Sequence, residues 1–153
     1  MATRTLQLTG ITKRYGTRPV LDGVTFSVPS GQLTGFVGGN GAGKTTTMRI
    51  VLGLLTSDGG SVTLGGAELT ADKRRRFGYM PEERGLYPKM KVLEQVTYFA
   101  RLHGFSKSDA TTRATALLTE LGLAERLNDN VEALSLGNQQ RAQIAASLVH
   151  DPE

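Results

Sequence analysis

The stretch LTGFVGGNGAGKTTTMRIVLGLL, residues 33–55, carries three signals in succession. Leu33 to Val37 is a short, mostly apolar run that suits a buried parallel strand. Gly38 to Thr46, GGNGAGKTT, is a glycine-rich loop. Met48, Val51, Leu52 and Leu55 then recur at i, i+3, i+4 and i+7, one face of a helix. Strand, glycine loop and helix in this order predict an α/β fold. Within the loop, Gly38-x-x-x-x-Gly43-Lys44-Thr45 fits a known phosphate-binding pattern in the context that gives it force. Glycines let successive backbone N–H groups converge on phosphate oxygens with no Cβ in the way. The helix that starts near Lys44 adds its positive end. The pattern has Lys44 reaching the β- and γ-phosphates and the Thr45 hydroxyl ligating Mg²⁺. With 19 glycines in 153 residues, chance produces it at about 1 in 10,000 starting positions.

Working outward, 153 residues predict one domain. At 39% hydrophobic and 21% charged, a low-complexity disordered chain is excluded. The longest apolar stretch, Ile50 to Leu55, is broken by Gly53 and falls far short of the roughly 20 residues that span a bilayer. MATRTLQLTG at the start has no apolar core of a secretory signal, and there is no cysteine for disulfides or cysteine-held zinc. The composition reads as that of a soluble intracellular chain. Charge is unevenly placed: residues 1–91 hold 13 basic and 6 acidic residues, whereas residues 92–153 hold 5 and 8. A basic first half fits an anionic ligand, and charge alone leaves nucleic acid open.

Before the loop, Thr5 to Leu8 and Val24 to Val28 alternate as strands do. After it, Ser61 to Leu64 reads as a strand between glycine pairs, suited to a small hairpin, and Phe77 to Met80 as another, stopped by Pro81. From Val92 the chain turns helical. Leu93, Val96 and Ala100 share a face; Ala114, Leu117, Leu118 and Leu121 repeat the spacing; a last helix carries Arg141, Ile144, Ala145 and Leu148. Residues 84–132 thus read as a helical insertion in an α/β domain.

A second motif narrows the field. Leu134-Ser135-Leu136-Gly137-Asn138-Gln139-Gln140-Arg141 resembles the signature LSGGQ of ATP-binding-cassette (ABC) ATPases, and it opens a helix at the distance from the phosphate loop found in that family. Ser135 and Gly137 match, while Leu136 and Asn138 depart. A serine hydroxyl and exposed N–H groups at a helix start suit a terminal phosphate, although Ser135 also suits an ordinary helix cap. In KRYGTRPVLDGVTFSV, Tyr15 falls where the family places an aromatic on adenine. GYMPEERGLYP matches the family segment that senses the γ-phosphate and touches the membrane partner; Glu82 replaces the usual glutamine. This segment is similar to those of bacterial exporters. Gly39 stands where the family often has proline.

The resemblance implies a phosphate-loop NTPase core with an N-terminal antiparallel β layer and a helical signature subdomain, spanning the front two-thirds of a cassette and incomplete at its C-terminus. It implies a core over 1–83, a helical subdomain over 84–140 and a return to the core over 141–153. ATP would contact Tyr15, Gly38, Gly39, Asn40, Gly41, Ala42, Gly43, Lys44, Thr45 and Thr46; Ser135, Leu136, Gly137, Asn138 and Gln139 would face a partner's ATP. Mg²⁺ would be held by Thr45 and Glu82. The family's Asp-Glu pair and later histidine lie beyond the resemblance, so no catalytic residue is expected within the chain, and His103, His150 and Asp151 are assigned none. The implied activity is transport-coupled ATP hydrolysis, with this chain inactive alone. Its partners would be a membrane-spanning subunit and a second ABC subunit, at the cytoplasmic face of the membrane. Lys73-Arg74-Arg75-Arg76 reads as a solvated turn or helix, and no nucleic-acid partner is expected. The alternatives are a soluble cassette ATPase acting on ribosomes or DNA, and a nucleotide binder without turnover.

Overall fold

The computed structural model describes residues 4–82 and 85–152, so residues 1–3, 83, 84 and 153 lie outside the described residues. It divides into two compact units, Met1–Arg74 and Arg75–Glu153. The division falls ahead of the 83/84 boundary read from the sequence, and residues 141–152 belong with the helical unit.

The first unit is built on an antiparallel sheet of order β2-β1-β3-β4, comprising β1 (Leu6–Tyr15), β2 (Arg18–Val28), β3 (Gly59–Leu64) and β4 (Ala67–Glu68). This is the expected antiparallel layer, with longer strands than the alternation suggested. Leu8 and Ile11 are both fully buried although three residues apart, which plain alternation forbids. The register shifts between them, and the extra residue of the bulge returns Ile11 to the inner face. Gly10 N donates to Thr25 Oγ1 at 2.8 Å, so the bulge leaves that donor satisfied. β3 approaches so closely that a Cβ on Gly60 (φ 84°) would collide with the Thr9 and Gly10 backbone.

α1 (Lys44–Val51) buries Thr47, Ile50 and Val51. The expected face of Met48, Val51, Leu52 and Leu55 is corrected: Gly53 N donates to Ile50 O and Leu54 N to Arg49 O, ending the helix after two turns, so Leu55 is never on it. Arg74 Nε donates to Val51 O at 3.0 Å and occupies another terminal carbonyl. α2 (Ala71–Arg74) is a single turn. The strand expected at Leu33–Val37 does not form; Leu33 and Val37 are 104% and 91% exposed. A parallel strand exists only through its neighbours, and among the described residues none pairs with this run.

The second unit packs α3 (Val92–Leu102), α4 (Lys107–Glu120) and α5 (Leu136–Leu148) around one apolar cluster. Val92, Val96, Ala100, Ala110, Ala114, Leu118, Ala142 and Ala145 supply it, and the many alanines let helix backbones approach closely. Leu93, Leu117 and Leu121 flank the cluster. Ser106 caps α4, accepting from Asp109 N and donating to the Asp109 carboxylate. The start of α3 has no side-chain cap; Val92 N and Leu93 N instead donate to Asp129 O and Leu127 O. On α5 the buried face is Ala142, Gln143 and Ala145, while Arg141 and Leu148 from the expected set are exposed. Phe77–Met80 is also not a strand. Side chains take the carbonyls that a ladder would: His150 Nε2 lies 3.1 Å from Phe77 O, and Gln143 Nε2 donates to Pro81 O.

Candidate functional site

The phosphate loop lies in the first unit, between the end of residues 33–37 and α1. Ala42 N donates to Gly39 O at 3.2 Å, folding Gly38–Ala42 into a turn. Gly43 caps α1 in the left-handed conformation (φ 82°). A Cβ there would sit 2.5 Å from Leu21 Cδ2 and 3.0 Å from Val20 O, so glycine is required by both conformation and space. Leu21 is therefore the wall against which the loop is set. The sequence reading passed over it, because an apolar residue on a strand carries no mark of what it packs on.

Lys44 Nζ donates to Gly38 O at 2.6 Å and to Gly39 O at 2.8 Å. The ammonium is drawn back across the loop by neutral carbonyls, which orient it without cancelling its charge. Thr47 anchors the helix start: Thr47 N and Oγ1 both donate to Gly43 O, at 2.8 and 3.0 Å. Thr45 and Thr46 are partly exposed on the first turn; Gly38, Gly39, Asn40, Gly41 and Ala42 are exposed. A basic side chain, a helix N-terminus and exposed backbone at one end of one element together fit a polyphosphate. Tyr15, at the end of β1, is 52% exposed and pairs with Arg18 across the hairpin.

The remaining predicted residues lie in the second unit. Ser135 Oγ accepts from Asn138 N at 3.4 Å as the cap of α5. Leu136 and Gly137 are exposed, and a Cβ on Gly137 would meet nothing within 4 Å. Gln139 turns inward: its Nε2 donates to Val131 O and Leu134 O, both at 3.1 Å, bracing the chain that leads into Ser135. Glu82 is exposed. Gln95, not singled out from the sequence, is buried on α3 and accepts from Tyr87 N at 3.0 Å, tying down the chain at Tyr87.

Mg²⁺ fits this donor set only together with a nucleotide. Among the described residues no group of three His, Asp or Glu is placed to hold a metal. A threonine hydroxyl is the kind of ligand that completes an octahedron formed largely by phosphate oxygens and water.

The chain is similar to known proteins. Residues 21–153 match the family described as ABC transporter. The chain is 42% identical over 148 residues to the ABC transporter ATP-binding protein YhaQ of Bacillus subtilis, covering 97% of this chain and 50% of that protein. It is 37% identical over 155 residues to the Nod factor export ATP-binding protein I of Ralstonia nicotianae, covering 99% and 48%. A solved ATP-binding subunit of an ABC transporter superposes with a TM-score of 0.81 at 32% identity, covering 96% of this chain and 62% of its own. The chain spans about half the length of the curated relatives it matches. Among the described residues no helix is long and apolar enough to cross a membrane. The α/β phosphate-loop fold read from residues 33–55 is thus the fold of the solved relative, and the chain belongs to the ABC transporter family as an ATP-binding domain.

Proposed function

We propose that this chain is the nucleotide-binding part of a subunit that powers export across a membrane by binding and hydrolysing ATP. The observation that carries the reading is the cradle at the head of α1, where Lys44 is held over Gly38 and Gly39 and the left-handed Gly43 leads into the helix. The loop amides and Lys44 bind and orient the β- and γ-phosphates, and Tyr15 stacks on the base. Thr45, with Glu82, would hold Mg²⁺, which supplies charge neutralisation to the phosphates when bound. Catalysis by such a site is positioning and electrostatic stabilisation.

The exposed Ser135, Leu136 and Gly137, with Asn138, face the ATP of a second ABC subunit, while Gln139, expected to join them, braces the chain behind them instead. A membrane-spanning subunit completes the assembly at the cytoplasmic face, and the relative named for Nod factor export supports the direction. No residue among the 153 is assigned to polarise the attacking water, so residues 1–153 tested alone bind ATP without turnover. The test is Lys44→Ala. Losing a charge-assisted phosphate contact weakens ATP affinity by about 10- to 100-fold, read by displacement of a fluorescent nucleotide. Unchanged affinity in a folded variant overturns the assignment.

A further inference from the structure

The helical unit contains a concave site lined by basic side chains. A cleft of about 850 Å³ is lined by Arg75, Arg76, His103, Arg113, His150 and Asp151, with Leu102, Gly104 and Phe105 between them. Among the described residues, three arginines, two histidines and one carboxylate line it. A concave surface of one sign focuses the field on whatever enters it.

Arg113 is already set in place. Its Nε donates to Val149 O at 3.1 Å, and its guanidinium lies 4.7 Å over the Phe105 ring. Asp151 stands 4.0 Å from Nη2, too far for a hydrogen bond, and both side chains are substantially exposed. One edge of the guanidinium is therefore fixed while the terminal amino groups keep hydrogen-bonding capacity, the arrangement that suits bidentate capture of an oxyanion.

The two histidines lie face to face, centroids 3.8 Å apart and planes within 12°. His150 Nε2 is engaged with Phe77 O, whereas its buried Nδ1 has no partner. Desolvation, and then the proximity of His150, hold His103 below its ordinary pKa of 6.5. His103, in a cleft also lined by Arg75, Arg76 and Arg113, is poorly placed to accept a proton until a negative charge arrives, and among the described residues Asp151 is the acid that lines the cleft.

We propose that this cleft binds a multivalent oxyanion of the phosphate class, gripped by Arg75, Arg76 and Arg113, and that His103 takes up a proton as the anion enters. Anion binding is then linked to pH: affinity strengthens as pH falls through the histidine range and weakens above it.

The chain has two histidines, and both line this cleft, so their ring resonances report on it. Inorganic phosphate is titrated into histidine-labelled protein carrying Lys44→Ala, which removes the phosphate loop as a competing site, with chloride at matched ionic strength as the control. The His103 ring is expected to shift saturably toward the protonated position with phosphate and not with chloride. Arg75→Gln with Arg76→Gln, at exposed positions, weakens the response by about 10-fold or more. Vesicles of phosphatidic acid distinguish the source. A response to vesicles alone assigns a lipid headgroup, and a response to free phosphate alone assigns a soluble anion. A His103 ring that moves with neither probe, moves equally with chloride, or responds undiminished in the arginine variant overturns the proposal.

Discussion

The phosphate-loop unit and the helical unit solve the same problem with unequal means. In the helical unit every long helix finds its apolar partner close in sequence: α3, α4 and α5 enclose a single cluster that includes Leu118, Val96 and Ala145 at essentially no exposure. In the loop unit the buried set is smaller, chiefly Leu8, Ile11, Leu21, Ile50, Val51 and Leu69, and Leu33 and Val37 stand in solvent. Helices satisfy their own backbone and need only a face to pack, whereas a parallel strand depends on neighbours for every hydrogen bond. The unit that carries the recognisable chemistry is therefore the less self-sufficient of the two.

Leu118→Ala probes this difference with the largest expected effect. Truncating a fully buried leucine among helices costs about 3 kcal/mol through lost burial and the cavity left behind. Leu33→Ser, at a fully exposed position, changes stability by less than about 0.5 kcal/mol. Urea unfolding of both variants, followed by helical circular dichroism and by a probe on the sheet, checks the pair. Equal costs would mean that Leu33 is covered in solution, and the comparison would collapse.

The second effect concerns how the less self-sufficient unit still builds a defined loop. Gly43→Ala forces a side chain into the left-handed region and against Leu21 Cδ2, for a combined cost of about 2–4 kcal/mol. Gly39→Ala meets nothing within 4 Å and has no positive φ, so it stays within about 0.5 kcal/mol. The expected signature is a lowered unfolding midpoint for the first variant alone, with nucleotide affinity falling alongside. If both behave alike, Leu21 does not set the loop and its rigidity comes from elsewhere.

These contrasts also explain what the sequence disclosed. The loop with its helix was legible because the motif is local: glycines, lysine and threonine act within a few residues of each other. The β layer and the helical run were legible for the same reason, from alternation and helical spacing. Burial faces were less so. Gly53 stops α1 before the periodic set ends, and on α5 alanines rather than the larger Ile144 and Leu148 turn inward, because close helix approach favours small side chains. Leu33–Val37 and Phe77–Met80 have strand-like composition, but a ladder requires a partner that no local pattern supplies. The His103–His150 stack was invisible, since nothing in either neighbourhood points to a ring 47 positions away.

The smallest effect lies where the loop unit holds its sheet together by charge. Asp58, at the entry to β3, accepts from Lys13 Nζ at 2.8 Å and from Arg14 N at 2.7 Å, tying β3 to β1. The Lys13 hydrogen bond, followed by that from the Arg14 backbone, holds its carboxyl below the ordinary 3.8. A depressed carboxylate stabilises the fold above its unfolded-state pKa and loses that contribution as pH falls through its folded-state value. Asp58→Asn keeps the shape and removes the titration. The wild type should be more resistant to urea at neutral pH, and the two midpoints should converge well below pH 3.8. The site is solvent-exposed, so the gap should also narrow in high salt. A gap that persists unchanged into acid would show that Asp58 acts through hydrogen-bond geometry alone, with its charge contributing nothing to holding β3 on β1.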